Sequence, residues 1–268
     1  MAYKLAMLPL ILLLVHSPED YVLAAFLQAS VFLLAAILTG LQLRSLHIIG
    51  RPVFDRAVMR SETRDSFPLF LSQTSTSIYT QLFAVILGIF CTEAEVGSYT
   101  AAERIMRALT FLVFLPMSQA FFPKISALSQ SNRSRALQDF RLVKNIVLTM
   151  MLIIGLCLFV GAPYAEAWLG GGYKGLANIL RIFSVCPIFI ALGGVYGQFG
   201  LVALGDNDSR LRFRNVYIIT ALIALVAVLV CVPLWHGVGA AWVLLGAEGL
   251  IFALMFWNYK KESIANKQ

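Results

Sequence analysis

From residue 215 to residue 247 the chain reads NVYIITALIALVAVLVCVPLWHGVGAAWVLLGA, without one Asp, Glu, Lys or Arg. A helix needs about 20 apolar residues to cross a hydrocarbon core about 30 Å thick. This run is too apolar for water and too long for one crossing. Pro233-Leu234-Trp235-His236-Gly237 interrupts it. Proline cannot donate to a helical ladder and glycine accepts the backbone angles of a turn. The stretch therefore reads as two membrane helices joined at 233–237, the second continuing through Glu248 to the neighbourhood of Trp257.

Working outward, further charge-free runs cover 5–18, 21–43, 66–92, 108–123, 145–165 and 182–205. With the two halves of the opening stretch they make eight spans. The 268 residues are 59% hydrophobic and 13% charged, with a mean hydropathy of +0.80. A soluble domain is about 25% charged, so a soluble enzyme and a disordered chain are both excluded. The expected fold is an all-α polytopic transmembrane bundle. The first span is the shortest. His16-Ser17-Pro18-Glu19 lacks the small-residue pattern of a signal-peptide cleavage site, so that span is read as retained.

The net charge of +7 does not point to nucleic acid, because the basic residues fall between the apolar runs. One set of connections holds Lys4, then Arg44 to Arg64, Lys124 to Lys144, Arg210 to Arg214, and Lys260 to Lys267; the opposite set holds Lys174. The positive side faces the cytoplasm, which puts both termini inside. The opposite turns, around Glu19-Asp20 and Glu93/Glu95, are acidic.

Residues 44–66 form an arginine-rich cytoplasmic linker between two helices at 1–43 and six at 67–268. Arg56, Arg60 and Arg64 share one helical stripe, so this linker is either an interfacial helix or a solvated loop. Ser66 followed by Pro68 reads as a helix start. Pro9, Pro116 and Pro187 fall inside spans, and Gly193-Gly194-x-x-Gly197-x-x-Gly200 invites close approach of a neighbouring helix. Cys91, Cys157, Cys186 and Cys231 are far apart and read as buried hydrophobes. His16, His47 and His236 form no recognisable ligand motif, so no metal and no cofactor is expected.

Polar groups at membrane depth are the candidate site. Gln73, Ser77 and Thr80 share a face of the third span, with Gln81 at its margin. Lipid cannot satisfy such groups, so they line a cavity or bond a neighbouring helix. Glu103 and Arg107, spaced i, i+4, form a helical ion pair, which leaves Arg104 to meet an anion. A guanidinium fork matches phosphate geometry. Arg181 sits near a span end, where it snorkels or enters a cavity. Glu248 lies midway along the last span, where a carboxylate is paired, protonated or ion-coupled. No catalytic constellation is present, so the chain does not read as an enzyme.

Gly97-Ser98-Tyr99-Thr100-Ala101-Ala102-Glu103-Arg104-Ile105, followed by Phe114-Leu115-Pro116-Met117-Ser118-Gln119-Ala120-Phe121-Phe122-Pro123-Lys124-Ile125-Ser126, resembles the bacterial O-antigen and polysaccharide flippases. These belong to the multidrug/oligosaccharidyl-lipid/polysaccharide exporter superfamily. The resemblance implies two six-helix lobes around a central cationic cavity. It also implies movement of undecaprenyl-diphosphate-linked oligosaccharide to the outer leaflet, with that glycolipid, membrane lipids and polysaccharide assembly proteins as partners. Here the two-plus-six layout matches the end of a first lobe, a linker and a complete second lobe. A complete first lobe would place further helices ahead of Met1. The alternatives are a drug/cation antiporter of the same superfamily, a polysaccharide polymerase and a non-functional fragment. A cationic drug would call for carboxylates and aromatics, and a polymerase for a large outer loop.

Overall fold

A computed structural model describes residues 14, 20–45, 55–205 and 207–265; among these, every regular element is helical. The chain divides into two units, residues 1–61 and 62–268.

In the first unit α1 (Tyr21–Ser45) is 25 residues long, about 38 Å at 1.5 Å per residue. Phe26, Phe32, Leu34, Ile37, Leu38 and Leu41 are exposed on it, a surface that suits lipid and not water. The first expected span lies almost wholly outside the described residues, as do Arg51 and its neighbours at 46–54.

The next helix, α2 (Arg56–Phe90), corrects the expected start at Ser66. It begins ten residues earlier and runs through Ser66 and Pro68 without a break. Arg56 to Asp65 is rich in good helix formers, and their propensity carries the helix past the local cap signal.

In the second unit Thr92 ends one helix and starts the next. Its side chain accepts from the Glu95 N–H at 3.4 Å while Glu95 Oε2 accepts from the Thr92 N–H at 2.9 Å, a capping box that opens α3 (Glu93–Ser131). These bonds, the backbone one foremost, and the nearby His236 hold the Glu95 carboxyl below the usual carboxylate range, in a turn ahead of the apolar stretch. α3 carries Pro116 and Pro123 in its interior. Asn132 then turns the chain, its side chain accepting from the Arg135 N–H at 3.1 Å at the start of α4 (Arg133–Leu169). Lys124 and Asp139 pair across this turn at 2.8 Å. The expected sixth span falls almost wholly within one apolar helical stretch, Leu176–Ala203, with a turn at 184–185 near its start. α5 (Leu176–Phe183) is capped by Glu166, which accepts from the Gly175 and Ala177 N–H groups at 3.2 and 2.6 Å. α6 (Cys186–Gly194) follows, with Pro187 in its first turn, where a missing N–H is tolerated. It widens into a π-helical segment, Val195–Ala203, in which the Leu204 N–H reaches back five residues to Phe199 O at 3.2 Å.

The helical stretch Asn207–Ala265 doubles back at His236, whose φ of 50° and ψ of −137° are not helical. Its arms are α7 (207–235) and α8 (237–265). Ser209 Oγ donates to Glu262 Oε2 at 2.6 Å, which ties together the far ends of the arms and makes the pair antiparallel. The expected break at 233–237 is therefore a hairpin turn.

The glycine series does what its spacing implies. A Cβ on Gly193 would meet Ile251 at 3.3 Å, one on Gly197 would meet Phe213 at 2.8 Å, and one on Gly200 would meet Tyr259 at 2.8 Å. Gly194 lies under the Phe114 ring. The buried core runs on through Phe83, Leu87, Tyr99, Met106, Phe183 and Leu244. Cys157 departs from the expectation that all four cysteines are buried: it is exposed on α4 beside exposed Leu156, Phe159 and Val160. Lipid is as apolar as the core, so an apolar side chain gains little by leaving it.

The turns fall at two ends. The turn at 91–95, the turn at 171–175 and the bend at His236 meet: Ser98 Oγ donates to Lys174 O at 3.3 Å, and His236 Nδ1 lies 3.6 Å from Glu95 Oε1. Arg210 to Arg214 and Lys260 and Lys261 gather at the other end beside the Ser209–Glu262 bond.

Candidate functional site

Helical periodicity builds a cavity of about 760 Å³ within the second unit. On α3, Arg107, Phe111, Phe114, Leu115, Ser118, Gln119 and Phe122 recur at three- and four-residue steps and face it. Ile190, Gly194, Gln198 and Val202 face it every four residues along α6 and its π-helical continuation, with Phe213 and Tyr217 from α7, and Glu248 and Ile251 from α8. Gly194 keeps Phe114 tight against the wall. Halfway along, Ser118 Oγ donates to Gln198 Oε1 at 2.8 Å. The volume is that of a site for a drug-sized ligand.

A charged cluster sits where α3 meets α8. Arg107 Nε donates to Glu103 Oε1 at 2.8 Å, the ion pair expected from the i, i+4 spacing. Arg107 Nη2 lies 3.9 Å from Glu248 Oε1. Glu248 is 6% exposed. The two carboxylates and one guanidinium thus share a cluster that carries more negative than positive charge when all are ionised.

The other candidates are dispersed. Arg104 is exposed and does not line the cavity. Arg181 is exposed, with its guanidinium over the Phe159 ring at 5.8 Å, as a snorkelling side chain would be. Gln81 is exposed. The side chains of Gln73, Ser77 and Thr80 lie outside the described residues. The cavity described here differs from the expected cationic, hydroxyl-lined one. Its walls are mainly aromatic and aliphatic, with Arg107 and Glu248 as its charges.

The polysaccharide biosynthesis protein family matches residues 1–129 of the chain. A protein of Escherichia coli (strain K12) named "Putative O-antigen transporter" is 30% identical over 256 residues, which is 94% of this chain and 60% of that protein. The chain is thus similar to O-antigen transporters along nearly all of its length. A second protein of that name, from Shigella dysenteriae, is 25% identical over 253 residues, again 94% of this chain and 60% of the relative. The chain therefore spans about three fifths of the length of these curated relatives. No solved structure matches it.

Among the described residues four helices are long and apolar enough to cross a membrane, which with this similarity makes a multi-pass membrane protein. Sequence reasoning missed most of the cavity. Gln198, Phe213 and Tyr217 were passed over because they sit singly in apolar runs, and only the pairing of α3 with the π-helical segment and α7 brings them together. It also missed that one histidine meets a possible partner set: Cys91, Glu95 and His236 converge at the turn end of the bundle.

Proposed function

We propose that this chain takes part in moving undecaprenyl-diphosphate-linked O-antigen or polysaccharide repeat units across the inner membrane, with both termini cytoplasmic. The reading rests on similarity to O-antigen transporters along 94% of the chain. The structural observation that supports it is Arg107, a cation held on the wall of a largely apolar cavity. Its contact with Glu248, at 3.9 Å, is looser than the 2.8 Å bond to Glu103. A diphosphate oxygen competing for the guanidinium would take the place of Glu248, because parallel N–H donors suit phosphate. The apolar wall would accept the first units of the lipid while Ser118, Gln119 and Gln198 offer bonds to hydroxyls. No covalent chemistry is involved.

The test is binding of a polyprenyl-diphosphate-linked oligosaccharide by the chain in lipid nanodiscs, followed by native mass spectrometry. Arg107→Ala is expected to weaken binding by at least about tenfold, the loss of one charge-assisted contact. Glu248→Gln is expected to strengthen it, since the competing carboxylate is gone. Unchanged affinity in both variants would remove the cavity from the reading.

One observation favours a second reading, export of an organic cation. Phe111, Phe114, Phe122 and Phe213 line the cavity with Glu248, and aromatic faces with a carboxylate attract cations. In that case Glu248→Gln would abolish binding of a lipophilic cation and Arg107→Ala would strengthen it, the reverse pattern.

A further inference from the structure

The end of the bundle opposite the basic clusters holds a group of side chains that takes no part in the cavity. Cys91 follows α2, Glu95 lies in the first turn of α3, and His236 is the bend between α7 and α8. A thiol sulfur, a carboxylate oxygen and an imidazole nitrogen from these residues lie within 4.8 Å of one another. We propose that Cys91, Glu95 and His236 bind a zinc ion that clamps the α2–α3 turn to the α7–α8 turn.

The donor set selects the ion. Thiolate, imidazole and carboxylate together suit zinc, whereas magnesium and calcium take oxygen ligands alone. Bonds of about 2.0–2.3 Å in a tetrahedron place ligand atoms about 3.3–3.8 Å apart. His236 Nδ1 and Glu95 Oε1 are already 3.6 Å apart. The other separations are within 4.8 Å, so none lies more than about 1 Å beyond the tetrahedral range. The His236 and Glu95 side chains are 52% and 39% exposed, so they can rotate and an ion can reach them. Three protein ligands leave the fourth position for water.

The surroundings orient two of the three ligands. Glu95 Oε2 is occupied by the Thr92 N–H at 2.9 Å and the Thr92 hydroxyl at 3.1 Å, which leaves Oε1 facing the histidine. Such outer hydrogen bonds fix the direction of a metal-bound carboxylate. His236 is the non-glycine residue with positive φ among the described residues, at a position where glycine would sit without strain. Gly237 beside it packs close to the Glu95 carbonyl, 3.9 Å from where a Cβ would stand. The strained backbone thus carries a side chain that faces α3. On binding, the Cys91 thiol releases one proton to solvent and the thiolate takes the metal.

The experiment measures alkylation of Cys91 by a maleimide in membrane vesicles holding the full chain, stripped with a chelator and then titrated with zinc. Peptide mass spectrometry reads Cys91 and exposed Cys157 in the same sample. Zinc is expected to slow Cys91 and leave Cys157 unchanged, and magnesium to change neither. His236→Gly removes a ligand while relieving the backbone, so it keeps the fold; it is expected to raise the half-protecting zinc concentration by more than about tenfold, as is Glu95→Gln. Cys91 alkylated at one rate with and without zinc would overturn the proposal and leave a simple Glu95–His236 ion pair. Protection that persists in both variants, or that falls equally on Cys157, would overturn it as well.

Discussion

Replacing Arg107 by alanine should destabilise the bundle by about 3–5 kcal/mol. Arg107 bridges two carboxylates, Glu103 at 2.8 Å and Glu248 at 3.9 Å. At an effective dielectric constant of about 20 these separations correspond to about 6 and about 4 kcal/mol of raw attraction, before desolvation is subtracted. Removing one partner of a buried pair costs about 3–5 kcal/mol, because it leaves an uncompensated charge. Here the two carboxylates differ. Glu103 keeps 15% of its side chain exposed, whereas Glu248 keeps 8% and has Gly246-Ala247 and Gly249 around it. Glu248 then carries the larger share of the cost, because less of it reaches solvent.

Unfolding of wild type and Arg107→Ala in mixed detergent–SDS micelles, followed by tryptophan fluorescence, measures the loss. Arg107→Met combined with Glu248→Gln should recover most of the loss, since both buried charges are then gone. A smaller loss for Arg107→Ala than for Glu103→Gln would refute Arg107 as the centre of the cluster.

Three further outcomes are expected. Gly155→Ala should destabilise by about 1–3 kcal/mol, because its Cβ would stand 2.5 Å from the Ser184 carbonyl at the turn between α5 and α6. Gly161→Ala, on the same helix with nothing within 4 Å, should stabilise by about 0.5–1 kcal/mol; equal signs in a melting assay would show that the α4 contact is misplaced. His236→Gly should raise stability by about 1 kcal/mol in metal-free buffer, and a lower melting temperature would mean that the backbone at this bend is unstrained. Reporter fusions after Gly172 and Trp235 should read periplasmic and those after Arg133 and Arg210 cytoplasmic, the inverse pattern being fatal to the assigned orientation.

The spans and the hairpin were legible because they depend on short-range facts. A charge-free run of sufficient length must be a span, and Pro233 with Gly237 must interrupt a run that is too long. The glycine series was legible for the same reason: Gly193, Gly197 and Gly200 on one face leave a groove, and something must fill it. The start of α2 was not, since Ser66 and Pro68 are valid start signals whose weight against the preceding helix formers no local rule decides. The turn between α5 and α6 was legible only in part: Pro187 was read as lying inside its span, and without an N–H it cannot bond the carbonyl four residues back, at the end of α5.

The site shows where local reasoning ends. Residues 103, 104 and 107 stand on adjacent turns, so spacing alone gives the Glu103–Arg107 pair and leaves Arg104 as the spare cation. That inference treats the helix as if its surroundings were uniform. In the folded bundle Glu248, far along the chain on α8, meets α3 on the Arg107 side, while Arg104 points outward and is exposed. A buried carboxylate draws the neighbouring cation toward itself, because leaving it unpaired costs more than any local bond returns. The partner of a charge at membrane depth is therefore decided by the other charges buried there. In this chain Glu248 makes Arg107, rather than Arg104, the cation on the cavity wall. The same logic applies at Cys91, Glu95 and His236. Their turns were all expected on one side of the membrane, and that shared side was the signal that three distant ligand-bearing residues could meet.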